Sequence, residues 1–268
     1  MLEIQKKLLT LLKEIDVICR KNNITWFMMY GTLLGAVRHK GFIPWDDDAD
    51  IVFTHENWIK FKEACAKEIP SGRKLTSLDI DATQYGQMMA RYHDTTQELL
   101  LKYNTVFTEE TGIYIDIFIL DYYPDNEILQ QQYNLLLLDS LELAQKRYSP
   151  SLYLTGVSRY RKIIFKFMFG NRKKQLAKYM AKLATLGQDS SSSQYIQRNC
   201  IDHKYPKYLL EEVEYVLFED TKLPIPKHFF EVLCIQYGPD WVNIPQKILV
   251  HDNNILTSKV TEIGRAHV

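Results

Sequence analysis

The sequence predicts an α/β protein of the α+β kind: a mixed sheet in the first half and a mainly helical extension in the second. Three observations predict it. Residues 1 to about 123 alternate short β-forming runs with segments of helical periodicity. From Asp125 onward the apolar residues recur mostly at helical spacing. The chain has 268 residues, 46% of them hydrophobic, enough to bury a sizeable core. The expected division is residues 1–123 as a catalytic core and residues 124–260 as an extension that completes the binding sites.

The elements follow in order. Leu8, Leu11, Leu12, Ile15, Ile18 and Cys19 interleave with charges, which predicts an amphipathic helix over 2–22 and not a signal peptide. The apolar run Trp26 to Met29 predicts a strand over 25–29. A Gly31-Thr32 turn then leads into a short helix over 32–39. Ala49 to Phe53 predicts a second strand, and Thr54 a cap for a helix over 55–68. Further strands are expected near 74–79, 86–93 and 113–120. Ile128, Leu129, Tyr133, Leu136, Leu137 and Leu141 give one broad apolar face to a helix over 125–146. More helices are expected near 158–169, 172–186 and 192–200, then a strand near 213–218 and a helix near 227–237. Residues 262–268 are unpatterned and carry no motif.

The functional signal is concentrated in Gly41 to Phe53. Asp46, Asp47, Asp48 and Asp50 place four carboxylates within five positions, directly ahead of the β-forming Ile51-Val52-Phe53. Side chains alternate along a strand, so Asp48 and Asp50 project to one side, roughly 7 Å apart. Two carboxylates so placed can converge on a small hard cation. Mg²⁺ is the natural candidate, because it binds through one or two carboxylates plus substrate phosphates. A solvated turn or a helix cap is the bland alternative. The preceding strand, Gly31-Thr32 turn and helix bias the choice: glycine permits close approach, and the free N–H groups of a helix start favour phosphate. This layout is that of a nucleotidyltransferase palm.

The run Gly31-Thr32-Leu33-Leu34-Gly35-Ala36-Val37-Arg38, continued through Gly41-Phe42-Ile43-Pro44-Trp45-Asp46-Asp47-Asp48-Ala49-Asp50, closely resembles the signature of the LicD family. Arg91 to Thr96, Ile115 to Asp121, Phe218-Glu219, Leu223 to Pro226 and Tyr237-Gly238 resemble that family's later motifs, spreading the likeness over about residues 1–250. His93 departs where members often carry a basic residue, and Ile119 where they often carry Pro; neither is an expected metal ligand. The resemblance implies Mg²⁺-dependent transfer of phosphocholine, or a related phospho-alcohol, from CDP-choline or a similar CDP-alcohol to a glycan hydroxyl. The glycan would be a lipid-linked lipopolysaccharide, capsule or teichoic acid precursor at the inner face of the membrane. It also implies that Asp48 and Asp50 hold the metal, that Gly31 and Thr32 cradle the pyrophosphate, and that Asp116 is catalytic.

The residues around Asp116 support that last point. Ile113, Ile115, Ile117 and Ile119 face one way on a strongly β segment; Tyr114, Asp116, Phe118 and Leu120 face the other. A carboxylate among such neighbours needs a partner. The expectation is a general base, a third metal ligand or both, with Asp121 as a strand-end cap. Arg38 is expected to reach a phosphate or to end its helix. Asp46 is expected to orient the loop, and Asp47 to be solvated. Tyrosines at 148–160 and 205–215 are candidates for a choline-binding box or for core.

Composition excludes several classes. Lys+Arg and Asp+Glu are 33 each, so no broadly basic nucleic-acid surface is expected. No apolar run approaches the ~20 residues of a membrane span. Cys19, Cys65, Cys200 and Cys234 are widely spaced, as in thiols of a reducing, cytoplasmic compartment. Two rival functions stand beside phospho-alcohol transfer. One is nucleotidyl transfer to a sugar or protein, with attack at the proximal phosphorus. The other is non-catalytic glycan or nucleotide binding.

Overall fold

The computed structural model describes residues 1–81, 89–103, 107–148, 172–243 and 255–256. Helix α1 (Glu3–Lys21) opens the chain and is followed by strand β1 (Phe27–Met28) and helix α2 (Tyr30–His39). Strand β2 (Asp50–Thr54), helix α3 (His55–Glu68), strand β3 (Arg73–Thr76) and a short helix α4 (Leu78–Asp81) come next. Two long strands, β4 (Ala90–Tyr103) and β5 (Phe107–Tyr123), then form an antiparallel ribbon whose register shifts between Asp94 and Leu99. Helices α5 (Glu127–Tyr148) and α6 (Arg172–Leu186) follow.

Beyond them lie β6 (Gln194–Gln197), β7 (Lys204–Pro206), the hairpin β8 (Val213–Phe218) and β9 (Thr221–Pro226), and helix α7 (Phe229–Tyr237). The two-residue strand β10 (Ile255–Leu256) pairs antiparallel with β4.

The main sheet runs β1-β2-β5-β4 and is mixed. β2 lies parallel to β5, with Asp50 opposite Asp116 and Val52 opposite Phe118, while β1 and β4 join antiparallel. The apolar face of this sheet meets α1 and α3. Trp26, Phe27, Phe53, Trp58, Phe61 and Tyr92 are fully buried there; each such side chain contributes about 1.5–3 kcal/mol on leaving water. A second cluster forms around Tyr123, Tyr133, Leu137, Leu176, Met180, Leu183 and Ile196, where α5 and α6 pack over the end of β5.

Two expectations change. Residues 192–200, expected as helix, contain strand β6, which pairs with the end of β5 (Asp121 opposite Ile196) and with β7. Sheet pairing of the β-forming Tyr195 and Ile196 outweighs the weak helical periodicity of that stretch. β9 was not expected; it pairs with β8 in a two-stranded hairpin, where Pro224 and Pro226 are tolerated at an edge. Thr54 does occupy the N-cap position of α3, but its hydroxyl accepts from Asn57 Nδ2 at 2.8 Å and makes no capping bond. The helix expected near 158–169 lies outside the described residues.

Candidate active site

Strand β1, the turn into α2 and strand β2 build the centre of the site. Met29 N donates to Asp50 O at 3.0 Å, and the buried Thr32 Oγ1 accepts from Asp50 N at 2.8 Å. Thr32 therefore fixes the backbone of Asp50 from the first turn of α2. Gly31 lies against the Asp46 carboxylate so closely that a Cβ there would come 2.8 Å from Asp46 Oδ2. Tyr30, at the strand-to-helix junction, has φ +48°, a left-handed conformation that is strained for an aromatic residue.

The acidic loop is tied down from two sides. Gln5 of α1 donates through Nε2 to Ile43 O (3.0 Å) and Asp46 O (2.8 Å). Glu219, at the β8–β9 turn, accepts from Phe42 N at 3.0 Å and occupies the space a Gly41 side chain would need.

The loop and β2 bring the acids together. Carboxylate oxygens of Asp46, Asp47 and Asp48 lie within 4.8 Å of one another. Asp47, expected in solvent, is half-buried within this group. Burial, then the charge of Asp46, the hydrogen bond with it, and the charges of Asp116 and Asp47 push the Asp48 carboxyl up to about 8. Burial and the charges of Asp48, Asp116 and Asp46 raise Asp50 well above the carboxylate range, and burial raises Asp46. Clustered oxygens that repel one another in a partly dry setting are a donor set suited to Mg²⁺, so the residues fit the expected ion.

Asp116 stands beside Asp50 on the neighbouring parallel strand, and Arg91 stands across from it on β4. Arg91 Nε donates to Asp116 Oδ1 at 2.8 Å. The Arg91 guanidinium also covers the Tyr114 ring, 3.9 Å from its centroid. Asp116 thus has a guanidinium partner on the adjacent antiparallel strand β4.

Arg38 is not brought to this site. It lies in the last turn of α2, away from Gly31, and donates through Nη2 to Asn243 O. Asp121 is no strand-end cap. It is fully buried, and it accepts from Arg198 Nε (2.8 Å), Arg198 Nη2 (2.6 Å) and Tyr133 Oη (2.9 Å). It also contacts His55 Nδ1 at 2.8 Å. This polar hub joins α3, α5, β5 and the end of β6.

A cavity of about 390 Å³ opens beside the acids, and Gly31, Asp46, Asp48 and Asp50 form one side of it. Tyr30, Phe118, His203 and Tyr237 give it an aromatic wall, and Gln197, Asn199 and Cys200 complete the lining. Tyr30 meets Phe118 edge-on at 4.9 Å between centroids and lies 5.6 Å from His203. Tyr237 is raised by burial and by the charges of Asp50, Asp46 and Asp48, which places its hydroxyl within their field. Sequence reasoning missed Gln197, Asn199, His203 and Tyr237. Of the expected aromatic-box tyrosines, Tyr205 is buried, Tyr208 is exposed, and residues 149–160 lie outside the described residues.

A strand–turn–helix unit facing carboxylates on two adjacent parallel strands defines a nucleotidyltransferase-type catalytic core. Residues 23–155 match the family described as LicD/FKTN/FKRP, nucleotidyltransferase domain. The chain carries a nucleotidyltransferase domain of the LicD family. It is 25% identical over 242 residues to the lipopolysaccharide cholinephosphotransferase LicD of Haemophilus influenzae, a match spanning 88% of this chain and 89% of that protein. It is also 33% identical over 117 residues to an uncharacterized protein of Rickettsia prowazekii, covering 43% of this chain and 40% of the relative. An uncharacterized protein of Rickettsia typhi is 48% identical over 62 residues, or 22% of this chain and 20% of the relative.

Proposed function

We propose that this transferase moves phosphocholine, or a closely related phospho-alcohol, from a CDP-activated donor to a hydroxyl of a cell-surface glycan precursor. The Haemophilus protein it resembles over most of its length is named for cholinephosphate transfer to lipopolysaccharide. The observation that carries the reading is the cavity that joins three carboxylates to an aromatic wall. Carboxylates suit a metal-bound pyrophosphate, and aromatic faces suit a quaternary ammonium group.

In this reading Asp48 and Asp50 would hold Mg²⁺, with Asp46 beside them and Asp116 next to Asp50 on the neighbouring strand. The ion, when bound, supplies charge neutralisation for the pyrophosphate and the departing nucleotide. The N–H groups at the start of α2, around Gly31, point partial positive charge toward the donor's phosphates. Thr32 acts from behind by fixing Asp50. Tyr30, Phe118 and Tyr237 orient the alcohol head group. An acceptor hydroxyl then attacks the distal phosphorus in line, and CMP leaves. Such a reaction asks the protein mainly for positioning and charge stabilisation. The acceptor is a lipid-linked precursor of lipopolysaccharide, capsule or teichoic acid at the cytoplasmic face of the membrane. Among the described residues no helix is long and apolar enough to cross a membrane.

The test is the nucleotide product. With CDP-choline, Mg²⁺ and a glycan acceptor, CMP should accumulate only when acceptor and divalent ion are both present. Release of phosphocholine with the nucleotide retained on the acceptor would instead identify a nucleotidyl transfer.

A further inference from the structure

His203 sits on the aromatic wall of the cavity that the acids also line, in the segment between β6 and β7. A chain of hydrogen bonds fixes its protonation. Gln197 Nε2 donates to Asn199 Oδ1 at 2.7 Å, so the Gln197 carbonyl oxygen faces Tyr30. That oxygen accepts from the Tyr30 hydroxyl, which also meets the Tyr205 hydroxyl. His203 Nδ1 lies 2.7 Å from the same Tyr30 oxygen, and with the phenolic proton on Gln197 the imidazole is the donor of that contact. A neutral imidazole protonated at Nδ1 carries its lone pair on Nε2. Burial lowers His203 below the usual histidine value, against an opposing pull from Asp202, so the neutral form prevails at pH 7.

The chain looks built for this purpose. Tyr30 adopts its strained left-handed backbone at the point where its hydroxyl bridges Gln197 and His203. Strain of that kind marks functional sites. Asp116, the other candidate proton acceptor, already accepts from Arg91 and does not line the cavity.

We propose that His203 is the general base of the reaction, with Tyr30 and Gln197 as the residues that position it. The proposal rests on the reading of the chain as a transferase acting on a hydroxyl. In the step, the acceptor's O–H bond breaks and its proton moves to His203 Nε2. The oxygen's electron pair forms the new O–P bond, and the P–O bond to the nucleotide breaks, its pair leaving with CMP. The imidazolium shares the cavity with Asp46, Asp48 and Asp50 until it returns the proton to solvent. The other titratable groups around it are Asp202 on its own segment, Cys200, Tyr30, Tyr205 and Tyr237.

His203→Gln keeps a donor for the Tyr30 oxygen while removing the base. Its kcat should fall roughly 10²–10⁴-fold, with donor affinity unchanged. Wild-type kcat/KM should fall at acid pH as His203 takes up a proton, and that fall should vanish in this variant and persist in Asp116→Asn. Imidazole in the buffer should restore part of the activity of His203→Ala. Retention of the acid limb in His203→Gln, or activity within threefold of wild type, overturns the proposal. Long-range ¹H–¹⁵N NMR of the full chain judges it without any turnover. Nδ1–H in the wild type, lost in Tyr30→Phe, supports it; Nε2–H in the wild type refutes it. Should the wild type transfer nothing from CDP-choline, the substrate reading fails, and the NMR result still decides the state of His203.

Discussion

Arg198→Met tests how the second half of the chain holds the site together. Arg198 makes two short bonds to Asp121, a carboxylate with no solvent exposure, and Tyr133 and His55 bind the same carboxylate. Methionine fills much of the volume but leaves the buried charge without its main partner. Removing one member of a buried ion pair costs about 3–5 kcal/mol, a large share of the 5–15 kcal/mol stability of an ordinary domain. Urea unfolding at pH 7, followed by circular dichroism, reads that loss.

The pH dependence provides a second check. Burial alone would raise Asp121, but the charge and hydrogen bonds of Arg198, with His55, hold it down at about 2. Wild-type Asp121 therefore contributes stability that is fully present above the carboxyl's ordinary value of 3.8 and is lost as pH falls through about 2. In Arg198→Met burial acts unopposed by that charge, so protonating the carboxyl relieves the variant. The stability gap between the two proteins should narrow from pH 7 toward pH 3. A gap under about 1 kcal/mol at pH 7, or one that widens on acidification, would refute the reasoning. Activity should fall even where the variant stays folded, since Asn199 follows directly on Arg198 and His203 lies in the same connection to β7.

Other outcomes follow from the site. Asp48→Asn and Asp50→Asn should each abolish transfer with little effect on folding, and EDTA should do the same to the wild type; full activity in EDTA counts against the metal assignment. Asp116→Asn should lower donor affinity and turnover together, by calorimetry beside a turnover assay, because Asp116 belongs to the acidic cluster; intact turnover would make the Arg91–Asp116 pair purely structural. Gly31→Ala should lose about tenfold or more in kcat/KM by pushing the Asp46 carboxylate aside, a displacement that proximity-dependent catalysis does not tolerate. Unchanged kinetics in that variant would contradict the close packing.

The acidic loop and the strand behind it were legible because their signals are local. Four aspartates before a β-forming run, and a Gly-Thr turn before a helix, need no distant partner to be read. Asp116 was legible because it interrupts an apolar alternation, although its partner Arg91 was not. The aromatic wall and the base were hidden for a different reason. Gln197 and Asn199 belong to the stretch 192–200 expected as helix, where sheet pairing with β5 makes strand β6 instead, and His203 lies in the connection just beyond it. Asp121 gave a partial signal, since an aspartate between Leu120 and Tyr122 on a buried strand needs a partner, but nothing local pointed to Arg198. Tyr237 left no signal beyond its place in a late motif, since its contact with the acids is made only by the folding back of α7.

The central claim is that phosphorus carrying the alcohol, and not the nucleotide, ends on the glycan. The most direct measurement is mass analysis with ³¹P NMR of a glycan acceptor after incubation with the protein, CDP-choline and Mg²⁺. The account predicts a single phosphodiester joining choline to a sugar hydroxyl, formed by the wild type and absent with Asp50→Asn. A glycan carrying cytidine monophosphate, or a modified glycan formed equally well by Asp50→Asn, would contradict it.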